Sequence, residues 1–386
     1  MSLCSHFPAC GGCSILSKSY SEQLIFKMEI LKRIFSSFNI QIQEIVPSPL
    51  SFFYRHKVQL PFGFDRKRKT VTLGCYAVDT HDVIDQKECL IQDKDLSIVV
   101  ASIREWAKVT KLSSYNEKSG TGFLRHVLIR KGVATGEILI GLVTNGEQMG
   151  GTRFLSRKLL DIIGKKLSGS ATVVGIVQNV NMRTTNVVLG QKEITWWGRP
   201  YIKEQLGELK FKVGLSTFFQ VNPFQTPNLY NEVLSWVPDN AAVFDLYSGT
   251  GTIGLWIARK AKIVIGIEEN RESVRAARTA AEINGVKNVR FVEGDTAEKL
   301  PGLIGKDYAV AVVDPPRKGL DNKLINTMLH SALKKIIYVS CNPETLKRDI
   351  DMLKEKYELL SLKGFDMFPQ TEHIECVAVL NLRTVK

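Results

Sequence analysis

Between residues 241 and 341 the chain repeats one pattern: a short apolar run closed by a polar or acidic residue, then a helical stretch, then another apolar run. The runs are AAVFDL (241–246), IVIGIE (263–268), VRFVEGD (289–295), AVAVVD (309–314) and IIYVSC (336–341). Runs of this length, rich in β-branched residues, are strands covered on both faces. Strands that alternate with helices build a parallel sheet with helices on either side. YELLSLKGFDMF and IECVAVLNL supply two further strands. The expected fold is therefore α/β, with a C-terminal doubly wound seven-stranded sheet of Rossmann-like type. Ligands of such sheets bind beyond the carboxyl ends of the strands. That rule selects the residues at or beside the ends of the runs: Asp245, Glu268, Asp295, Asp314 and Cys341.

The first run leads into SGTGTIG, where Gly249, Gly251 and Gly254 let the backbone turn tightly and then pack closely. A glycine turn followed by an acid on the next strand fits a dinucleotide site. It fits S-adenosylmethionine equally, because that cofactor's ribose also offers two hydroxyls to a carboxylate. Asp245 precedes the turn, where a carboxylate suits an ammonium group better than a pyrophosphate. Glu268 would then take the ribose and Asp295 the adenine edge.

Cys341 ends a strand and is followed by Asn342 and Pro343, with a helix expected from about Glu344 to Lys354. A free cysteine is commonly a small buried hydrophobe, so position alone does not make it reactive. Asp314-Pro315-Pro316-Arg317 forms a stiff loop, because two prolines fix the backbone and remove two donors. Glu375 opens the last run, and strand alternation puts it on the same face as His373. A lone Glu at a strand start is ordinarily a surface residue.

The first 215 residues are less regular. CSHFPACGGC places Cys4, Cys10 and Cys13 beside a flexible Gly-Gly pair, and Cys89 or Cys75 could complete a soft-ligand set for zinc or an iron–sulfur cluster. Spacing does not separate the two metals. Helices are expected over Tyr20–Phe38, 92–111, 157–167 and Thr226–Trp236. Strands are expected within 53–84 and 123–143, at VVGIVQNV and TNVVLG, and onward to 214, with another stopped by Pro223. The expected domains are 1–95, a cysteine-bearing segment that begins the central domain; 96–215, a central α+β RNA-binding domain; and 216–386, the sheet domain.

Charge narrows the partner. Fifty-two Lys and Arg against 39 Asp and Glu give a net charge of +13 and a pI near 9.3. This excess points to a polyanion, nucleic acid first and an anionic membrane second. No apolar run approaches the ~18 residues of a membrane span, and the start lacks a secretory signal, so the protein is expected in the cytoplasm. Seven cysteines in such a chain argue for metal binding or catalysis over disulfides.

Taken together, CSHFPACGGC with Cys89, FFQVN, DLYSGTGTIGL, DPPRKG, YVSCNPETLKRD and HIEC resemble the RNA uracil-C5-methyltransferase family, which makes 5-methyluridine in 23S rRNA and in tRNA. The resemblance runs from Cys4 to the end. It implies S-adenosylmethionine held by Gln220, Asp245, Tyr247, Gly249, Gly251, Glu268 and Asp314, with Asp295 nearby. It further implies Cys341 as nucleophile, Glu375 as general base, and a [4Fe–4S] cluster on Cys4, Cys10, Cys13 and Cys89, leaving Cys75 and Cys376 outside the motif. Two departures from the family pattern stand out. The chain begins almost at the cysteine motif, so the extra N-terminal β-barrel domain of several members is not expected. Ser248 stands where relatives often carry Cys. The cysteine set resembles the rRNA branch, so 23S rRNA is the expected partner, with tRNA uridine 54 the alternative and a non-catalytic iron–sulfur RNA-binding protein less favoured. A dehydrogenase would have no use for the DPPR and SCNP pieces.

Overall fold

The helical period that begins at Tyr20 becomes α1 (Tyr20–Ile34) in the computed structural model, which describes residues 4–42, 44–148, 150–304 and 308–383. Its start is fixed by a capping box. The Ser19 amide donates to Glu22 Oε2 at 2.7 Å, and the Glu22 amide donates to Ser19 Oγ at 3.4 Å. Lys32 and Arg33 sit in the last turn, where the helix dipole favours cations. The chain divides into two compact units. The first comprises Met1–Ser17, Leu50–Gln205 and Lys212–Ser216; the second comprises Lys18–Pro49, Leu206–Phe211 and Thr217–Lys386. Helix α1 thus belongs to the unit that holds the C-terminal sheet.

The first unit is α+β. Strands β1 (Lys57–Asp65) and β2 (Thr70–Leu73) precede α2 (Lys94–Val109); β3 (Leu124–Lys131) and β4 (Glu137–Thr144) precede α3 (Thr152–Gly164); then come β5 (Thr172–Val180) and β6 (Lys192–Gly198). The six-stranded order is β2-β1-β3-β4-β5-β6, antiparallel except for β4 with β5. Val58, Ile129, Ile138 and Ile140 pack with Leu96, Ile103, Trp106 and Leu159 of the two helices in one core. The strand expected at TNVVLG does not form. Asn181 Nδ2 instead donates to the carbonyls of Val187 and Val188 at 2.7 and 2.9 Å, and the Gly190 amide donates to Asn179 Oδ1 at 2.7 Å. Side chains thus satisfy the backbone that a ladder would have paired.

A hairpin follows in the chain, β7 (Tyr201–Leu206) and β8 (Leu209–Gly214). The second unit continues with α4 (Thr226–Trp236), β9 (Ala242–Leu246), α5 (Thr252–Ile257), β10 (Ile263–Glu268), α6 (Arg271–Ile283), β11 (Val289–Glu293), α7 (Thr296–Leu303), β12 (Tyr308–Val313), α8 (Asn322–His330), β13 (Lys335–Ser340), α9 (Pro343–Leu353), β14 (Tyr357–Phe365) and β15 (Glu375–Leu382). The seven-stranded order is β11-β10-β9-β12-β13-β15-β14. Strands β9 to β13 run parallel, and β15 inserts antiparallel between β13 and β14. This is the expected α/β Rossmann-like sheet, and its order reverses between β9 and β12. The strand expected before Pro223 is absent. That segment is held from outside, by Thr250 Oγ1 donating to the Phe218 carbonyl at 3.0 Å and by Asn222 Nδ2 donating to Ser48 Oγ at 3.0 Å. No helix among the described residues is long and apolar enough to cross a membrane.

Candidate active site

The switch point of the sheet gathers acids. Asp245 lies in β9, Glu268 ends β10, Asp314 follows β12 and Cys341 follows β13. Glu375 arrives by a different route. Ser340 on β13 is in register with Cys376 on the antiparallel β15, so the residues just beyond that pair, Cys341 and Glu375, meet at the same end of the sheet.

Asp245 is fully buried, and neither carboxylate oxygen has a hydrogen-bond partner among the described residues. Burial, with Asp314 and Glu268 nearby, pushes it up to about 8, and the nearby amide of Gly254, short of a formed hydrogen bond, offsets only part of this. A Cβ at Gly254 would lie 2.8 Å from Asp245 Oδ2, so the glycine is needed to let α5 start against the carboxylate. Gly251 is left-handed at φ 75°, and a Cβ there would collide with the Phe291 ring. Gly249 (φ 53°) and Tyr247 (φ 61°) share that conformation. Glu268 accepts from the amides of Gly249 at 3.0 Å and Asn270 at 2.8 Å, one per oxygen, which fixes the carboxylate and leaves each oxygen a lone pair. Asp295 is exposed and caps α7 through Oδ1, which accepts from the Glu298 amide at 3.0 Å. Gln220 is buried beside Phe219, in the segment tied to the glycine turn by Thr250.

Around the thiol the charges are again mostly negative. Burial first, then Glu375 and Asp314, push Cys341 up to about 11, and the Arg317 guanidinium opposes them. Asp314 is pushed up to about 7 by burial. Glu375, 3 % exposed, is raised well above the carboxylate range by burial and by Asp314, again against Arg317. Such a group holds a proton readily, as a general base needs.

Sequence reasoning left several side chains of this site unassigned. Tyr230 is buried with its hydroxyl 2.8 Å from Thr252 Oγ1, close enough to Asp314, Asp245 and Glu375 for their charges to add to the burial that raises it. Arg317 Nη2 lies 3.2 and 3.4 Å from the two ring nitrogens of His373, both residues exposed. Asp349, buried on α9, accepts from the Leu320 amide at 2.8 Å, from Tyr338 Oη at 2.7 Å and from Arg348. Arg348 Nη2 in turn donates to the Lys318 carbonyl at 2.9 Å, and Asn342 and Thr345 donate to the Arg317 carbonyl at 3.2 Å each. The start of α9 thereby clamps the Asp314–Leu320 loop. One mark of this lies in the sequence, where Asp349 interrupts the apolar stripe Leu346, Ile350, Leu353.

The cysteine set is a different matter. Cys4, Cys10, Cys13 and Cys89 were expected to ligate a [4Fe–4S] cluster. Among the described residues, no group of three or more His, Cys, Asp or Glu side chains is arranged to hold a metal ion. The cluster-bearing reading of the fold, and metal binding by these residues, are therefore corrected. The physical reason lies in how the thiols are used. Cys10 pairs with Cys75, the residue left outside the motif, and accepts from the Gly12 amide at 3.4 Å, which together bring it down to about 6. Burial and neighbouring thiols push Cys13 up to about 12, and burial raises Cys89. Cluster ligation needs thiolates, and Cys13 and Cys89 are both pushed toward their protonated forms.

Comparison with known proteins agrees with the crevice. A family profile described as tRNA (uracil-5-)-methyltransferase matches residues 191–383. An uncharacterized RNA methyltransferase of Leptospira interrogans is 47% identical over 382 residues, spanning 97% of each chain. Another, from Clostridium acetobutylicum, is 40% identical over 98% of this chain and 83% of its own. The crystal structure of Pyrococcus abyssi tRNA (uracil-54, C5)-methyltransferase in complex with S-adenosyl-L-homocysteine is similar over 97% of this chain and 86% of that one, with a TM-score of 0.77 and 29% identity.

Proposed function

The chain belongs to the tRNA (uracil-5-)-methyltransferase family, as an S-adenosylmethionine-dependent enzyme acting on C5 of uridine in RNA, and on that premise we propose that its substrate is a tRNA uridine at the position equivalent to 54. The observation that carries this choice over 23S rRNA is the similarity, along nearly the whole chain, to a tRNA (uracil-54, C5)-methyltransferase. The case for rRNA is the cysteine set, and among the described residues no such set is arranged to hold a metal ion.

The crevice fits the methyl donor on its own chemistry. Asp245 is a buried carboxylate with both oxygens unsatisfied, which calls for a cationic partner such as an ammonium or sulfonium group. Asp245 would hold the cationic end and Glu268 the ribose. Gln220, Tyr247, Gly249, Gly251, Asp295 and Asp314 would complete the enclosure. When bound, the cofactor supplies an electrophilic methyl group on a positively charged sulfur.

Uracil C5 is too weak a nucleophile to take that methyl unaided. Cys341 would give its proton to solvent and form a bond from Sγ to C6, which moves an electron pair onto C5 and O4. C5 would then be able to take the methyl group that the cofactor supplies, the sulfur keeping the electron pair of the broken carbon–sulfur bond. Glu375 would remove the C5 proton, and the returning electron pair expels Cys341 from C6. The charge of Arg317 favours the ionised forms of both Cys341 and Glu375. The target base must leave its stack to reach strand ends, which an RNA loop permits cheaply, and the net charge of +13 suits that polyanion. We place this reaction in the cytoplasm, with the RNA.

Offering unmodified tRNA and 23S rRNA transcripts with methyl-labelled cofactor, then mapping the label, tests the choice. Label at the tRNA uridine is expected. Label confined to rRNA overturns it.

A further inference from the structure

We infer that α1 is a brace for the loop that delivers Glu375, with Lys27 and Gln23 acting as positioning residues. The inference rests on reading Glu375 as the base. The loop is residues 366–374, between the end of β14 at Phe365 and Glu375, the first residue of β15. Helix α1 buries Gln23, Lys27, Leu31 and Ile34, so two polar side chains lie in its apolar stripe. Both reach this loop. Lys27 Nζ is 2.6 Å from Asp366 Oδ1, with both side chains completely buried, and it donates also to the Phe368 carbonyl at 3.2 Å. Gln23 exchanges two bonds with Gln370: its Nε2 donates to Gln370 Oε1 at 2.7 Å, and the Gln370 amide donates to Gln23 Oε1 at 2.9 Å.

The remainder of the loop is tied in series. The Phe368 amide donates to Asp366 Oδ1 at 3.2 Å, Thr371 Oγ1 donates to the Phe368 carbonyl at 2.8 Å, and the His373 amide donates to Thr371 Oγ1 at 3.3 Å. Gln370 is held at φ 70°, a left-handed conformation costly for a residue with a side chain. Asn222 Nδ2 donates to the Met367 carbonyl at 3.1 Å. The chain of bonds from Asp366 to His373 therefore starts from groups fixed by α1, and Glu375 lies two residues beyond. Replacing a buried ion pair by apolar side chains is often neutral for stability, so net stability is not what such a pair chiefly contributes. What the ion pair and the amide exchange add is direction, and a base must be placed within a fraction of an ångström to work.

Two variants test this beside Glu375→Gln: the double replacement Lys27→Met with Asp366→Asn, and Gln23→Leu. The second removes only neutral hydrogen bonds, so it keeps the test alive if the first fails to fold. In the folded variants kcat should fall about 10- to 100-fold with KM for RNA and for cofactor changed no more than about twofold. The fraction of enzyme caught as a covalent RNA adduct on a denaturing gel should rise, as in Glu375→Gln, because addition proceeds and proton removal stalls. A stability role alone would lower activity through loss of folded protein and leave the adduct fraction unmoved. Wild-type turnover in folded Gln23→Leu, or lost turnover without adduct, overturns the brace. If Glu375→Gln itself accumulates no adduct, the base assignment has failed and the brace falls with it.

Discussion

The acidic crevice of the second unit and the thiol-rich loops of the first both bury ionisable groups, and Asp245 and Cys10 show the two different outcomes. In the crevice, Asp245 is left with two unsatisfied oxygens and is pushed up to about 8, and Asp314 and Glu375 rise with it. The Arg317 guanidinium answers only Glu375 among these carboxylates. In the loops one thiol is answered from within the chain: Cys10 takes Cys75 and the Gly12 amide as partners and falls to about 6. A buried polar group with an unmet need marks a place where something must bind. A buried group whose needs are met inside the chain marks only a local structure. The two regions look equally rich in chemistry as sequence, and this distinction separates them.

The sharpest break of that contrast is Cys341→Ala. If the crevice is catalytic, turnover should drop by about 10⁴-fold or more, while calorimetric binding of S-adenosylhomocysteine stays near wild type, because the proposed role of the thiol is to bond to the base and not to hold the cofactor. Methylation near the wild-type rate would make Cys341 another half-buried thiol like those of the first unit.

The difference also explains what was legible in the sequence. A strand end is a topological address. Once the apolar runs and the glycine turn are read, Asp245, Glu268, Asp314 and Cys341 must lie along one edge of the sheet. The thiols at 4, 10 and 13 have no such address. They lie outside the helices and sheet strands, where spacing fixes neither direction nor partner, and Cys75 paired with Cys10 where a ligand set was expected. The meeting of Cys341 with Glu375 was implied only by resemblance, because it depends on the register of β13 against β15, a pairing between distant segments. Helix α1 was legible as a helix but not as part of the C-terminal unit, because amphipathic period says that a face is buried and not what covers it. Its two polar interruptions, Gln23 and Lys27, carry the missing information in the same way as Asp349 on α9. The false strands at TNVVLG and before Pro223 share one cause: apolar content was right, but side-chain donors took the backbone.

Asp245→Asn probes the unmet need directly. Removing the charge should weaken cofactor binding roughly 100-fold at pH 8.5, the scale of a lost hydrogen bond to a charged group. The pH dependence carries the finer signature. Asp245 titrates near 3.8 when unfolded and near 8 in the folded chain, so a cationic ligand must displace its proton below pH 8. Wild-type affinity should therefore climb with pH, by up to about tenfold per unit between pH 6 and 8, and level off above. The ligand-free protein runs the other way over that window. Its raised carboxyl holds a proton that the unfolded chain releases, so its stability falls as pH rises from about 4 to 8. The Asp245→Asn variant should flatten both slopes, and titration calorimetry with thermal melts across pH reads them. A wild-type affinity that does not change between pH 6 and 8 would show that Asp245 is not the cation's partner.

The smallest effect compares the two thiols themselves. Cys10 and Cys341 are both half-buried, so access does not separate them. Their ionisation does, at about 6 against about 11. At pH 7 the thiolate fractions then differ by about 10⁴, and the greater intrinsic nucleophilicity of the less acidic thiol returns roughly two powers of ten of that. In the ligand-free protein, iodoacetamide should label Cys10 roughly 50-fold faster than Cys341, as read by peptide mass mapping over time. Cofactor binding should narrow the gap. Burial raises Cys341 first, and Glu375 and Asp314 add to it; a cation in the crevice would offset the part due to the two carboxyls, so the proposed nucleophile would ionise more readily with the methyl donor in place. Equal labelling of the two thiols, with or without cofactor, would mean that Cys341 is not held back by those carboxylates.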